Sequence, residues 1–194
     1  MSFLYPLVKN INLKHSRPIL ALGFFSMAQK EAKLRNNMSK EHQYSLTIEW
    51  TGNTGSGTSN YRSYKRSHTV KLDGKKDIEC SSDPAFLGES TKHNPEELLL
   101  ASVSSCHMLW YLHLCSVAKI NVVSYEDKPS GIMIETSDGG GHFSEITLRP
   151  KVELSDNSLA QKADELHNEA NRLCFIANSC NFPIHHKATY PVGA

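Results

Sequence analysis

Apolar residues recur along the chain at two different spacings. From Tyr44, YSLTIEW alternates apolar and polar positions, which predicts a half-buried strand. The turn-rich TGNTGSGTSN follows, YRSYKRSHTVKL resumes an extended pattern, and DGKK supplies a hairpin turn before KDIECSS. SSDPAFLGESTKH reads as a linker with turn chemistry. The period then changes. Asn94 is placed to cap a helix, Pro95 to open it, and Glu96 and Glu97 to load its first turn, where the helix dipole favours acids. From Leu98 to Val117 apolar residues occupy nearly every face, which predicts a central helix covered on all sides. IMIETS and EITLRPKVEL are further strands around the turn DGGGH. A second helix runs from about Asn157, with Leu159, Ala163, Leu166, Ala170 and Leu173 at three- and four-residue steps, and HHKATY supplies a last strand. Strands, buried helix, strands, helix, strand is an α+β order.

Length and charge narrow the setting. The 194 residues suit one domain plus an extension, and the net charge of +1 argues against binding nucleic acid or a membrane surface by electrostatics. The charge is uneven: residues 1–37 hold six Lys/Arg against Glu31 alone, while the remainder carries a net −4. RPILALGFFSMAQ has a secretory outline, but its apolar run is brief, and an acid-poor basic leader also fits organelle targeting. The plainest reading is an upstream start codon. Residues 1–37 are then a basic extension, and 38–194, opening at Met38, the working domain. Five cysteines at irregular spacing suit a reducing compartment, so the expected location is cytoplasmic. No segment presents the ~18 apolar residues needed to cross a bilayer.

Several motifs are weak for chemistry. The glycine loop from Gly52 to Thr58 follows a strand but lacks a lysine after its last glycine, and no helix follows, so a hairpin loop is the better reading. Cys174, Cys180, His185 and His186 cluster, yet no CxxC or HxxxH pair matches a zinc template, and no metal is expected. His107 follows Cys106 directly and so points about 100° away around a helix, a poor base for its neighbour. Cys106 and Cys174 both fall on or beside core helices, where a cysteine is ordinarily a small hydrophobe.

NPEELLLASVSSC, followed by a helix ending in LCFIANS, resembles the OsmC/Ohr family of osmotically induced and organic-hydroperoxide-resistance proteins. Asn94, Pro95, Glu96, Glu97, Leu98 and Cys106 match the family's first element at its spacing. Cys174 with Ala177, Asn178 and Ser179 matches the second more loosely, with Phe175 where the family has proline. The resemblance covers about residues 44 to 190. It implies an OsmC-like α+β fold, antiparallel sheets around two central helices in an intertwined homodimer. It also implies thiol-based reduction of organic hydroperoxides with no bound cofactor, an external dithiol, often lipoyl-type, serving as reductant. Cys106 would be the nucleophile and Cys174 the resolving thiol, with Cys180 a competitor. An alternative on the same fold is a redox-sensing or small-molecule-binding module without turnover, and another is a structural member with inert thiols.

Two physical constraints accompany that resemblance. An apolar helix interior raises a thiol's pKa, and Cys106 lies too far from the helix start for the dipole to compensate, so a cation must come from elsewhere. The family uses an arginine held by the motif glutamate. Arg62 and Arg66 are the candidates, sharing a face if YRSYKRSH is a strand. Glu96 lies about 15 Å along the helix from Cys106, so unless the helix is broken it reaches a thiol only across a dimer, the other reading being a favourable first-turn acid. Glu97 reads as a first-turn acid.

Overall fold

The computed structural model describes residues 40–191, so the expected basic extension over residues 1–37 lies outside the described residues. Contacts divide the chain after Tyr44, and all the elements below belong to the second unit. Strand β1 (Thr47–Trp50) pairs antiparallel with β2 (His68–Lys71), placing Ile48 opposite Val70. Backbone bonds from Thr51 to Ser67 (3.0 Å) and from Lys65 to Gly52 (2.9 Å) prolong the pairing, so the glycine-rich segment closes a hairpin. A side chain at Gly52 would collide with the Lys65 carbonyl, which is why glycine stands there. β3 (Ile78–Cys80) completes this antiparallel sheet in the order β1-β2-β3. All four β1 residues are exposed within the single chain, where alternation predicted half burial.

Helix α1 (Pro95–Val117) begins as its sequence predicts. The Glu97 backbone N–H donates to Asn94 Oδ1 (2.8 Å), and the Asn94 N–H donates to Glu97 Oε2 (3.2 Å), a reciprocal cap. Its cover differs from the expectation. Only Val103, His107, Tyr111 and Cys115, one stripe at four-residue steps, are buried, because the chain's own elements lie on one side. By length and a mean hydropathy of 1.4, α1 also passes the test for a membrane span, correcting the expectation that no segment does. A core helix passes the same test, and its stripe here packs on protein.

After α1 the chain makes β4 (Val122–Asp127), β5 (Ser130–Glu135), β6 (Gly141–Leu148) and β7 (Pro150–Leu154). β4 is an addition to the expected elements. A register shift between Val122 and Ser124 against β7 breaks the alternation that would have marked it. EITLRPKVEL is two strands rather than one, divided at Arg149, whose N–H donates to Asp127 Oδ1 (2.6 Å). The sheet β5-β6-β8 contains a parallel pair, β6 with β8 (Ile184–His186), so the sheets are not all antiparallel. Helix α2 (Ala160–Leu173) follows a 3-10 turn over Asn157–Leu159 and buries Ala163, His167 and Ala170. One core cluster joins α1, α2 and β7 around Tyr111, Cys115, Val152 and Ala163, and a second gathers Val103, Ile146 and Leu148.

Candidate functional site at the α1–α2 contact

The thiols occupy different settings on the two helices. Cys106 lies mid-way along α1 and is half-buried; Cys174 is the residue at which the backbone leaves α2, and it is fully buried. The turn after it is fixed by the Asn178 side-chain amide, which donates to the carbonyls of Arg172 (2.9 Å) and Cys174 (3.0 Å). The Ala177 N–H donates to Cys174 Sγ at 3.4 Å. The Cys174 thiol neighbours the Cys106 thiol closely enough for the two to interact. Burial first, and then the neighbouring Cys106 thiol, push the Cys174 thiol up to about 12. The fold therefore brings the two predicted cysteines into contact. Cys180 is half-buried, and its thiol donates to the Ile176 carbonyl (3.3 Å). That carbonyl belongs to the same peptide unit as the Ala177 N–H, so one peptide group lies between Cys180 and Cys174.

The other predicted residues are not gathered here. Residues 61–64 turn and bend, and β2 begins only at His68, so Arg62 and Arg66 do not share a strand face. The reason is local: Ser63 Oγ accepts from the Asn60 N–H (3.1 Å) and donates to the Gly57 carbonyl (3.0 Å), folding the loop on itself. Arg66 bonds the carbonyls of Tyr64 and Tyr61 (both 2.7 Å), and its guanidinium lies 4.3 Å from the centre of each of those tyrosine rings. Arg62 is exposed. Glu96 stands at the start of an unbroken helix, and its Oε2 is buried with no hydrogen-bond partner among the described residues. Trp110, one turn beyond Cys106, meets Phe175 edge-on with ring centres 5.7 Å apart, giving the thiols an aromatic flank.

Sequence reasoning missed a buried imidazole cluster beside the thiols. His107 points into the α1–α2 contact, and its Nε2 lies 2.8 Å from His167 Nδ1. Tyr111 stacks on His167 at 3.9 Å, and its hydroxyl meets that of Tyr190 (3.2 Å). His186 of β8 lies 5.6–5.7 Å from both histidines, ring centre to ring centre. Burial and the neighbouring imidazoles lower His107 to about 4 and His167 to about 3. The signal was present: His107 sits on the four-residue stripe Val103, His107, Tyr111, Cys115, and His167 lies between Ala163 and Ala170. Among the described residues, no group of three or more His, Cys, Asp or Glu side chains is placed to hold a metal ion.

Comparison with known proteins agrees with this architecture. An OsmC-like protein of unknown function from Vibrio cholerae O1 biovar eltor str. N16961 is 30% identical, with a TM-score of 0.70, over 77% of this chain and 100% of that one. An organic hydroperoxide resistance protein from Elizabethkingia anophelis shares the fold at 20% identity and a TM-score of 0.57, over 79% and 100%. One from Legionella pneumophila does so at 18% and 0.54, over 78% and 100%. No curated protein matches the chain. The OsmC-like protein family model matches residues 88–188, which include both helices and both thiols, and the chain belongs to that family.

Proposed function

We propose that the chain is a thiol-dependent peroxidase that reduces organic hydroperoxides, and hydrogen peroxide as a smaller substrate, to alcohols or water. The observation that supports this most is that the Cys106 and Cys174 thiols are neighbours close enough to interact. A half-exposed thiol touching a buried one is arranged for attack first and disulfide closure second. The Cys106 thiolate attacks the terminal peroxide oxygen; the O–O bond breaks, the alkoxide takes a proton and leaves as alcohol, and Cys106 holds a sulfenic acid. The Cys174 sulfur then attacks the Cys106 sulfur, forming the disulfide and releasing water. An external dithiol reduces the disulfide by exchange and is itself oxidised. Trp110 and Phe175 supply an apolar wall suited to an organic peroxide tail.

The active form on this reading is a homodimer. The exposed apolar side of α1 and the Glu96 oxygen, unpartnered among the described residues, support it, because a second copy would cover the first and bring a cation to the second. In that arrangement Glu96 of one protomer orients an arginine, Arg62 or Arg66, beside the thiol of the other. For Arg66 this requires leaving its two tyrosines.

The test is titration of reduced protein with one equivalent of cumene hydroperoxide, followed by peptide mass spectrometry. Loss of two hydrogens mapped to Cys106–Cys174, and absent in Cys106→Ser, is the expected result. A stable Cys106 sulfenic acid without closure would point to the sensing alternative. All five cysteines remaining reduced would overturn the peroxidase reading.

A further inference from the structure

His107 and His167 are 1% and 0% exposed, and the peroxidase chemistry uses neither. Their rings are parallel within 3°, with centres 5.1 Å apart. With nitrogens 2.8 Å apart, that separation is a hydrogen bond plus two ring radii, so the rings meet edge to edge in one plane. A neutral pair makes such a bond with one ring donating and the other accepting. Whichever tautomer order holds, the outer atoms, His107 Nδ1 and His167 Nε2, are buried without a hydrogen-bond partner among the described residues. The pair is the buried polar link between α1 and α2. On α1 it adjoins Cys106; on α2 it lies seven residues, two turns, before Cys174.

We propose that the His107–His167 pair is a positioning joint for the two thiols: as a neutral pair it holds α1 against α2 so that Cys106 stays within reach of Cys174, and protonation of the pair loosens the joint and slows disulfide closure. The proposal rests on the reading of Cys106 and Cys174 as a disulfide-forming pair. The surroundings give a proton on the pair no compensation. Tyr111 faces it from α1, Tyr190 from the C-terminal segment and His186 from β8, while Tyr125 of β4 packs on Tyr111 and His185 acts on His186. Asp164 of α2 is exposed and acts on His186 and Tyr190. The charges acting on His107 and His167 are imidazolium charges, all unfavourable. A first proton therefore sits uncompensated in the core, and a second sets N–H against N–H and breaks the bond.

Closure can be followed without any peroxide. An azodicarboxamide oxidant (diamide) adds one thiolate to its N=N bond; the second thiolate attacks the bound sulfur, the S–N bond breaks, the disulfide forms, and the hydrazine leaves having gained two electrons and two protons. The full-length reduced protein is compared with His107→Leu and with His107→Gln/His167→Asn. The Gln amide occupies the place of Nε2 and the Asn amide that of Nδ1, so the double variant keeps the inter-helix bond but cannot titrate. Expected at pH 7.5 is closure slowed about fivefold in the leucine variant, the factor one ordinary hydrogen bond supplies, and the double variant within about twofold of the parent. Between pH 7.5 and pH 4 the parent-to-double-variant rate ratio cancels thiol ionisation, and it should fall by at least about twofold. Equal rates in the parent and the leucine variant would overturn the joint, as would a ratio flat with pH. Unreactivity toward cumene hydroperoxide with normal diamide closure would sink the peroxidase reading alone; failure of diamide to link Cys106 to Cys174 would sink both.

Discussion

The two sides of α1 are alike in composition and opposite in environment. On the covered side, Val103, His107, Tyr111 and Cys115 are buried to 1% exposure or less. On the other side Leu109 is 63% and Val117 68% exposed, and Ile48 on β1 is 57% exposed. An apolar side chain gains only what actually covers it, so the helix encodes two covers and one chain supplies one. The same contrast separates the predicted residues. Cys106 and Cys174, whose contact is internal to the chain, come together; Glu96 and the arginines, which the proposed dimer joins, do not.

The largest break in this comparison comes from the covered side. Leu148 is fully buried in the cluster with Val103 and Ile146, so Leu148→Ala should cost about 2–5 kcal/mol in urea unfolding. Val117→Ala, on the open side, should cost far less in any form in which that side stays wet.

Acid should act on the covered side next. His107 and His167 lie at about 4 and about 3 in the folded chain, below the ordinary 6.5, because burial disfavours their charged forms. Below pH 6.5 the unfolded chain takes up protons that the folded chain refuses. Their contribution is thus whole above pH 6.5 and lost as pH falls toward 4 and then 3, at up to about 1.4 kcal/mol per pH unit for each ring. Unfolding free energy measured from pH 7 to 4 should show this slope, and His107→Gln/His167→Asn should flatten it.

The open side is sharpened by Leu109→Lys. If solvent faces Leu109 in the working protein, the change costs no more than about 0.5 kcal/mol and leaves the sedimenting mass unchanged. If a second copy covers it, as proposed, the mass falls to that of one chain and peroxide consumption falls with it. Sedimentation before and after substitution decides between the two.

What the sequence made legible follows the same division. The start of α1 was readable because Asn94, Pro95 and the two acids act through bonds within one turn. The contact of Cys106 with Cys174 was readable only through the family resemblance, because it depends on how two helices meet. β4 was hidden by its irregular register beside adjacent Val122 and Val123. Arg62 and Arg66 were misplaced because alternation in YRSYKRSH imitates a strand, while serine and asparagine side chains bend the segment into turns. The histidine pair was missed because each ring on its own is an ordinary core position. Its character comes from the α1–α2 register, which no single segment carries.

A more local effect is expected at the start of α1. Asn94→Ala removes the acceptor for the Glu97 N–H and should cost about 1 kcal/mol, with Asn94→Asp close to the parent in urea unfolding. Fraying there also moves Glu96, whose buried oxygen awaits a partner. If Glu96 works only as a first-turn acid, peroxide rates in Asn94→Ala at full folding should match the parent. If it orients an arginine across the dimer, the rate should drop in Asn94→Ala and further in Glu96→Gln, while Glu97→Gln, which can still accept from the Asn94 N–H, keeps it. Cap and carboxylate are adjacent in sequence, and only the ordering of these three variants tells whether the first turn serves its own helix or the neighbouring thiol.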